Sequence, residues 1–283
     1  VSKRLLLFML AAVFSASASA SASASASASA SASASASASD VVIYVDHAYR
    51  PYNYEENGKV KGMYIDVLNT AFSRMQGFRV TIEAVPWVRA KRYMEVGKGF
   101  AIVPVFFHGH DWPYLHPYSI PFSKESIEVL CDESVLSTPR PNWPDDYKGL
   151  KIGKPSGNGW GGSRFEKMVK QGMITLEDSS TTTMMIKKIG KKRLDCIMIE
   201  RLSFNYYMKK LKSAGEYDEG GEDALLKKGA VISEGLIYMG YSRPAREAGT
   251  YPFQFDFMQQ FDSIMFKMLE SGEVERIMAS YQE

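Results

Sequence analysis

Aromatic rings and one guanidinium gather just beyond two apolar runs. Tyr49, Tyr52 and Tyr54 follow the run Val41–Val45, and Trp87 and Arg89 follow Phe78–Val85 past Pro86. Ring faces can hold an apolar or cationic part of a small solute. An arginine fork beside them can take a planar anion. A glycine-rich stretch, Ser156–Ser163, runs into a helical segment at Arg164. Its backbone N–H groups around Ser156, Gly157 and Asn158 can receive a carboxylate. Glu200 closes another apolar run, where it either accepts from an ammonium or faces water as a solvated strand end. His108, His110 and His116 share a Pro-rich loop with Asp111 and Trp112. Three histidines could bind zinc, but no cysteine or glutamate accompanies them, so polar loop histidines without a metal are expected.

Signatures of catalysis are absent from the sequence. It contains no G-x-S-x-G, no H-E-x-x-H and no Walker A motif. The stretch Ser156–Gly162 has glycines but lacks the lysine of a P-loop. These residues describe recognition of a small polar or zwitterionic solute, with no cofactor and no reaction performed on it. We expect a binding protein and not an enzyme.

Strands and helices must carry these groups to one place. The first unit reads as strand Val41–Val45, an aromatic loop, a helix from near Ile65 to Gly77, and strand Phe78–Val85. A helix over Val88–Val96 follows, then Phe100–Phe107, whose unbroken apolar character predicts a parallel strand covered on both faces. After Ile127–Cys131 and the proline-punctuated connector Asp132–Tyr147 the pattern repeats. Strand Leu150–Gly153 leads to the glycine loop and helix Arg164–Gln171. Helix Ser180–Ile189 has Ser180 or Thr181 as its N-cap, and Leu194–Ile199 is a buried strand. Leu225–Ser233 and Leu236–Tyr241 read as two returning strands, and the rest from Pro252 as a long and a short amphipathic helix. Two α/β lobes result, the second inserted into the first. Lobe 1 spans 40–130 plus 237–283 and lobe 2 spans 131–236. Ligands of open α/β sheets sit beyond the strand ends, and two such lobes can close on a solute between them.

The N-terminal 1–39 reads differently. Lys3 and Arg4 precede the apolar run Leu5–Phe14, and a strict Ser-Ala alternation follows from Ser15 to Ser39. This is the layout of a secretory signal followed by a low-complexity tail that cannot bury an apolar core. The chain has 34 Lys and Arg against 32 Asp and Glu, and Lys3 with Arg4 accounts for the whole excess. A neutral body gives no reason to expect a nucleic acid partner. We expect a monomer exported to the periplasm, with no lipid anchor because no cysteine follows the apolar run. Cys131 and Cys196 both lie in apolar strand-like runs and are expected as buried free thiols.

From Val41 to Tyr281 the chain resembles type II periplasmic solute-binding proteins of the extracellular family 3 class, the polar-amino-acid receptors of ABC importers. D-H-A-Y-R-P-Y, G-x-x-I-D-V at Gly62–Val67, Y-S-I-P-F at Tyr118–Phe122, K-G-L-K-I-G at Lys148–Gly153 and the closing S-G-E-V-E-R-I-M-A-S-Y carry the likeness through their order and spacing. The resemblance implies that Tyr49 and Trp87 sandwich the solute, that Ser156 and Gly157 meet its carboxylate, and that Glu200 pairs with its ammonium. It implies delivery to the membrane component of an ABC importer. Where the family carries a T-x-x-R loop this chain reads G-H-D-W at Gly109–Trp112. A degenerate or non-transport relative, acting as a sensor or interaction module, is the alternative, and an enzyme of the same fold is a third.

Overall fold

A computed structural model describes residues 38–281. The expected signal and Ser-Ala tail lie outside them, apart from Ala38 and Ser39. Strand β1 (Ser39–Asp46) alternates its burial, with Val41, Ile43 and Val45 inside. The aromatic stretch after it is no loop but a small antiparallel sheet of β2 (Ala48–Tyr49), β3 (Asn53–Glu56) and β4 (Lys59–Lys61). Helix α1 (Met63–Phe72) buries Tyr64, Leu68 and Phe72, and β5 (Phe78–Val85) returns parallel to β1. Helix α2 (Trp87–Glu95) starts directly after Pro86, whose missing N–H costs nothing at a helix N-terminus.

β6 (Ala101–Val105) is parallel to β1 but antiparallel to the late crossing strand on its other side, so the expected all-parallel setting holds for one edge only. β7 (Leu115–Tyr118) is short, and β8 (Ser123–Asp132) leads out of the first lobe. The second lobe contains β9 (Lys151–Pro155), α3 (Gly162–Lys170), β10 (Thr175–Ser179), α4 (Thr182–Gly190), β11 (Cys196–Glu200) and α5 (Arg201–Ser213). Thr181 is the N-cap of α4, its hydroxyl accepting from the Met184 N–H. β12 (Leu226–Ser242) then crosses back, followed by α6 (Arg243–Glu247), α7 (Gln254–Glu270) and α8 (Glu273–Ala279).

The sheet order is β10-β9-β11-β8-β12-β6-β1-β5. The two lobes are thus joined through one antiparallel ladder of β8 against β12. The sequence suggests two returning strands because Ser233-Glu234-Gly235 looks like a turn. Those residues instead run straight across, pairing with Ile127, Ser126 and Glu125. Each lobe has its own apolar interior. In the first, Phe257 and Phe261 of α7 pack with Phe72, and Phe100 lies 4.9 Å from Phe257, ring centre to ring centre. In the second, Ile152, Phe165 and Met198 surround Tyr147.

The cysteines correct the expectation of free thiols. Cys131 and Cys196 are opposite residues of the antiparallel pair β8 and β11, with Cα atoms 4.0 Å apart, and they form a disulfide. Strand register brings them together, and register is what the sequence does not display. No helix among the described residues is long and apolar enough to cross a membrane.

Candidate functional site

A cleft lies between the lobes and has two connected chambers that share Asp46, Tyr49, Trp87, Asn158 and Trp160. The inner chamber has a volume of about 50 Å³ and is faced by rings of Tyr49, Trp87, Phe106, His108, Trp112 and Trp160, with the carboxyls of Asp46 and Glu125. The outer chamber, about 230 Å³, is lined by Ser156, Ser180, Thr181, Thr182 and Ser203 besides the shared residues.

Strand ends and helix starts put these groups in place. Asp46 ends β1, and Trp87 opens α2 while remaining only 8% exposed. The loop after β6 folds back at His108, whose carbonyl accepts from the N–H of Trp112 at 2.9 Å. That turn stacks the His108 ring on the Trp112 indole, 3.7 Å between centres and 11° between planes. Burial lowers the His108 pKa despite Asp111, whose carboxylate lies 3.0 Å from Nδ1. Lys91 of α2 reaches over Trp112 at 4.6 Å and donates to the Gly157 carbonyl of the opposite lobe at 2.6 Å. Two further contacts close the cleft: Ser203 Oγ donates to Arg50 O at 2.6 Å and Tyr207 OH to Ala48 O at 3.0 Å.

Behind the chamber lies an acidic, tyrosine-rich cluster. Glu125, on β8 and 4% exposed, accepts from Tyr49 OH at 2.6 Å and from Tyr64 OH at 2.7 Å. Burial, and then the neighbouring Glu200, push its pKa up to about 8, against the partial relief of the two hydroxyls. Burial also raises Glu200, though the N–H of Ser203 favours its charged form. Glu128 stands in contrast. Burial works against its charge too, but Arg201 and Lys228 both bond to it and hold its pKa below the usual value. No such cation ion-pairs with Glu125 or Glu200 among the described residues.

Of the residues expected at a site, Tyr49, Trp87, Trp112 and Asn158 line the inner chamber, and Ser156 lines the outer one. Tyr52 stands one layer behind, stacked on Tyr49 at 4.8 Å. Three expectations need correction. Glu200 does not line either chamber. It is the N-cap of α5, its carboxylate accepting from Ser203 N at 2.9 Å, which satisfies a helix N–H that would otherwise be orphaned. Arg89 is exposed on the outer side of α2 and lines neither chamber. The glycine loop offers its N–H groups only in part, those of Gly157 and Gly159 making no bond among the described residues. Ser156 N donates to Ser179 O and Asn158 N to Pro155 O, while the carbonyls of Gly157 and Asn158 accept from Lys91 and Lys154. Gly157 itself serves approach: its φ is +82°, and a Cβ there would stand 2.7 Å from Val88 of the other lobe.

Asp46, Glu125 and Trp160 are site residues that the sequence does not single out, and His108 stands out there only as one of three loop histidines. Asp46 and Trp160 stand inside the motifs that point to the cleft, whereas Glu125 carries no signal until the crossing strand is placed. The three histidines do not converge: His108 is buried on Trp112, while His110 and His116 are exposed. Among the described residues no group of three or more His, Cys, Asp or Glu is arranged to hold a metal.

No protein-family model matches this chain, and no curated protein matches it in sequence. Solved structures do match in shape. The arginine-, lysine-, histidine-binding protein ArtJ of Geobacillus stearothermophilus superposes with a TM-score of 0.61 at 16% identity, over 86% of this chain and 94% of that one. A histidine kinase sensor domain with similarity to periplasmic binding proteins gives 0.65 at 14%, over 86% and 96%. The ancestral amino acid-binding protein AncCDT-1, a precursor of cyclohexadienyl dehydratase, gives 0.62 at 13%, over 86% and 95%. The fold is therefore the type II periplasmic-binding-protein fold, two α/β lobes joined by crossing strands.

Proposed function

We propose that this protein is an exported solute-binding receptor, whose lobes close on a small polar solute and present it to a membrane partner, the permease of an ABC importer. The observation that carries the reading is the cleft itself. Its walls come from both lobes, its chambers are built from rings and polar groups, and direct bonds such as Lys91 to Gly157 join the lobes at its mouth. Concave sites of this composition are where small molecules bind. The related shapes support it, since their names describe amino-acid binding. The buried Cys131–Cys196 disulfide fits an oxidising compartment outside the cytosol. The match to a histidine kinase sensor domain favours a second reading, in which the closed receptor reports to a sensor and not to a permease.

A thermal-shift screen of refolded, ligand-stripped protein against amino acids, polyamines, organic acids and small peptides tests the reading. A ligand at a hundred times its Kd stabilises the folded state by about 2.7 kcal/mol. For a body of this size that raises Tm by roughly 5–10 °C. No shift with any class, at millimolar concentration, refutes it.

A further inference from the structure

The inner chamber combines aromatic rings with acid, and its one imidazole, His108, is stacked on Trp112 and paired with Asp111. Trp87, Trp160 and Tyr49 line it beside Trp112, whose ring is already covered by His108 and Lys91, and two acids line it as well: Glu125, and Asp46, whose Oδ1 accepts from the Ala48 N–H and lies 3.1 Å from His47 Nδ1. No lysine or arginine lines either of these two chambers; Lys124 lines a larger hollow that shares Phe106, His108, Gly159 and Trp160 with the inner one, and its ammonium is paired with Glu234 at 2.7 Å. Lys91, over the outer side of the Trp112 ring, is turned to the Gly157 carbonyl at the rim, and Lys154 is taken by Asn158 O and by Asp178. Glu125 is buried with hydroxyl donors only, so its charged form has no counter-ion in the protein. A carboxylate taken out of water without a partner is costly. Ring faces carry the negative side of a quadrupole and attract a positive charge within about 6 Å of their centres. Acid and rings therefore ask for the same thing.

We propose that the inner chamber receives an organic cation, an ammonium or methylated ammonium head held among Trp87, Trp160 and Tyr49 and neutralised by Asp46 and by Glu125, whose proton passes to solvent as the cation enters. The inference rests on the receptor reading above and names its ligand class. A volume of about 50 Å³ admits a head group of a few heavy atoms, and the larger chamber beside Ser156 and Thr182 takes the rest of the molecule. A carboxylate on the ligand is not required, because no guanidinium or ammonium of the two chambers is aimed at one; Ser156 N and Asn158 N are bonded within the protein, and the N–H groups of Gly157 and Gly159 make no bond among the described residues.

The test uses calorimetry and tryptophan fluorescence on the full, refolded chain with n-butylamine, choline, butyrate, glutamate and butanol as probes. Both amines are expected to bind and to change the emission, while butyrate and butanol do neither. Glu125→Gln should weaken both amines at least tenfold. Binding of butyrate or glutamate with both amines silent overturns the cation assignment and leaves the receptor reading standing. Silence toward these probes and toward a wide panel of sugars, acids and peptides overturns both. Unchanged amine affinity in folded Glu125→Gln also overturns the assignment. Should that variant fail to fold, the charge series on the unaltered chain decides alone.

Discussion

Replacing Glu125 by Gln should change how stability depends on pH, by an amount the structure sets. The folded chain holds the Glu125 proton up to about pH 8, because the group is buried beside Glu200 with no cation. The unfolded chain releases it near the ordinary carboxyl value of 4.5. Between those values unfolding releases a proton, so the folded state loses stability as pH rises. The slope is about 1.4 kcal/mol per pH unit, so from about pH 5 to pH 7 the group removes roughly 2–3 kcal/mol. At this chain length that corresponds to a fall in Tm of roughly 5–10 °C. The facing groups are Tyr49, Tyr52 and Tyr64 of the first lobe, Glu200 of the second, and Asp46 across the chamber, all neutral or acidic in this range. Gln keeps the size of the side chain and an acceptor for one tyrosine. Urea unfolding of both proteins at pH 5, 6, 7 and 8 gives the answer as a difference, which cancels His108 and the surface carboxylates. Wild type should lose its advantage over the variant as pH rises. A difference independent of pH, or one that grows with pH, would refute the reasoning. A bound amine supplies the missing counter-ion, so the same series repeated with saturating ligand should be flatter.

Lys91→Met removes the bond to Gly157 O and the cation above Trp112 while retaining the stem of the side chain. A charge-assisted bond is worth about 1.5–3 kcal/mol when buried and less at a wet rim. The variant should show a larger radius of gyration by X-ray scattering without ligand and a ligand affinity about tenfold weaker; equal values for both proteins would count against a latch. Cys131→Ala with Cys196→Ala opens a link spanning 65 residues. Chain entropy assigns such a link about 4 kcal/mol. Urea unfolding of the double variant should show most of that loss without a change of fold by circular dichroism, and a loss below about 1 kcal/mol would mean that strand pairing alone holds β8 and β11 together.

Much of the scaffold is legible in the sequence because its signals are local. Phe78–Val85 has β-branched alternation and ends at a proline, and it is a strand over those very residues. Thr181 caps a helix because a hydroxyl three residues before an N–H is a matter of short-range geometry. Legibility ends where a long-range pairing decides the outcome. Ser233-Glu234-Gly235 has the composition of a turn, but the ladder with β8 overrides it. Cys131 and Cys196 become partners only through register. Glu125 looks like the polar member of an alternating strand, and it is buried because β8 lies between the lobes, where neither face meets water. Glu200 does stand at a strand end, yet it is not free for a solute, since the helix that starts at Arg201 claims it first. Tyr49 to Lys61 reads as a loop because strands of two to four residues leave no periodicity to detect.

Across the ladder from Glu125 stands Gly235, and a Cβ on that glycine would lie 2.6 Å from the Phe106 ring that faces the chamber. Glu125, on the chamber wall, is thus part of the span that connects the two lobes, and the residue across the ladder from it is packed against another wall residue. The chamber can therefore be reshaped from a position that does not line it: Gly235→Ala would force the Phe106 ring and the crossing ladder apart.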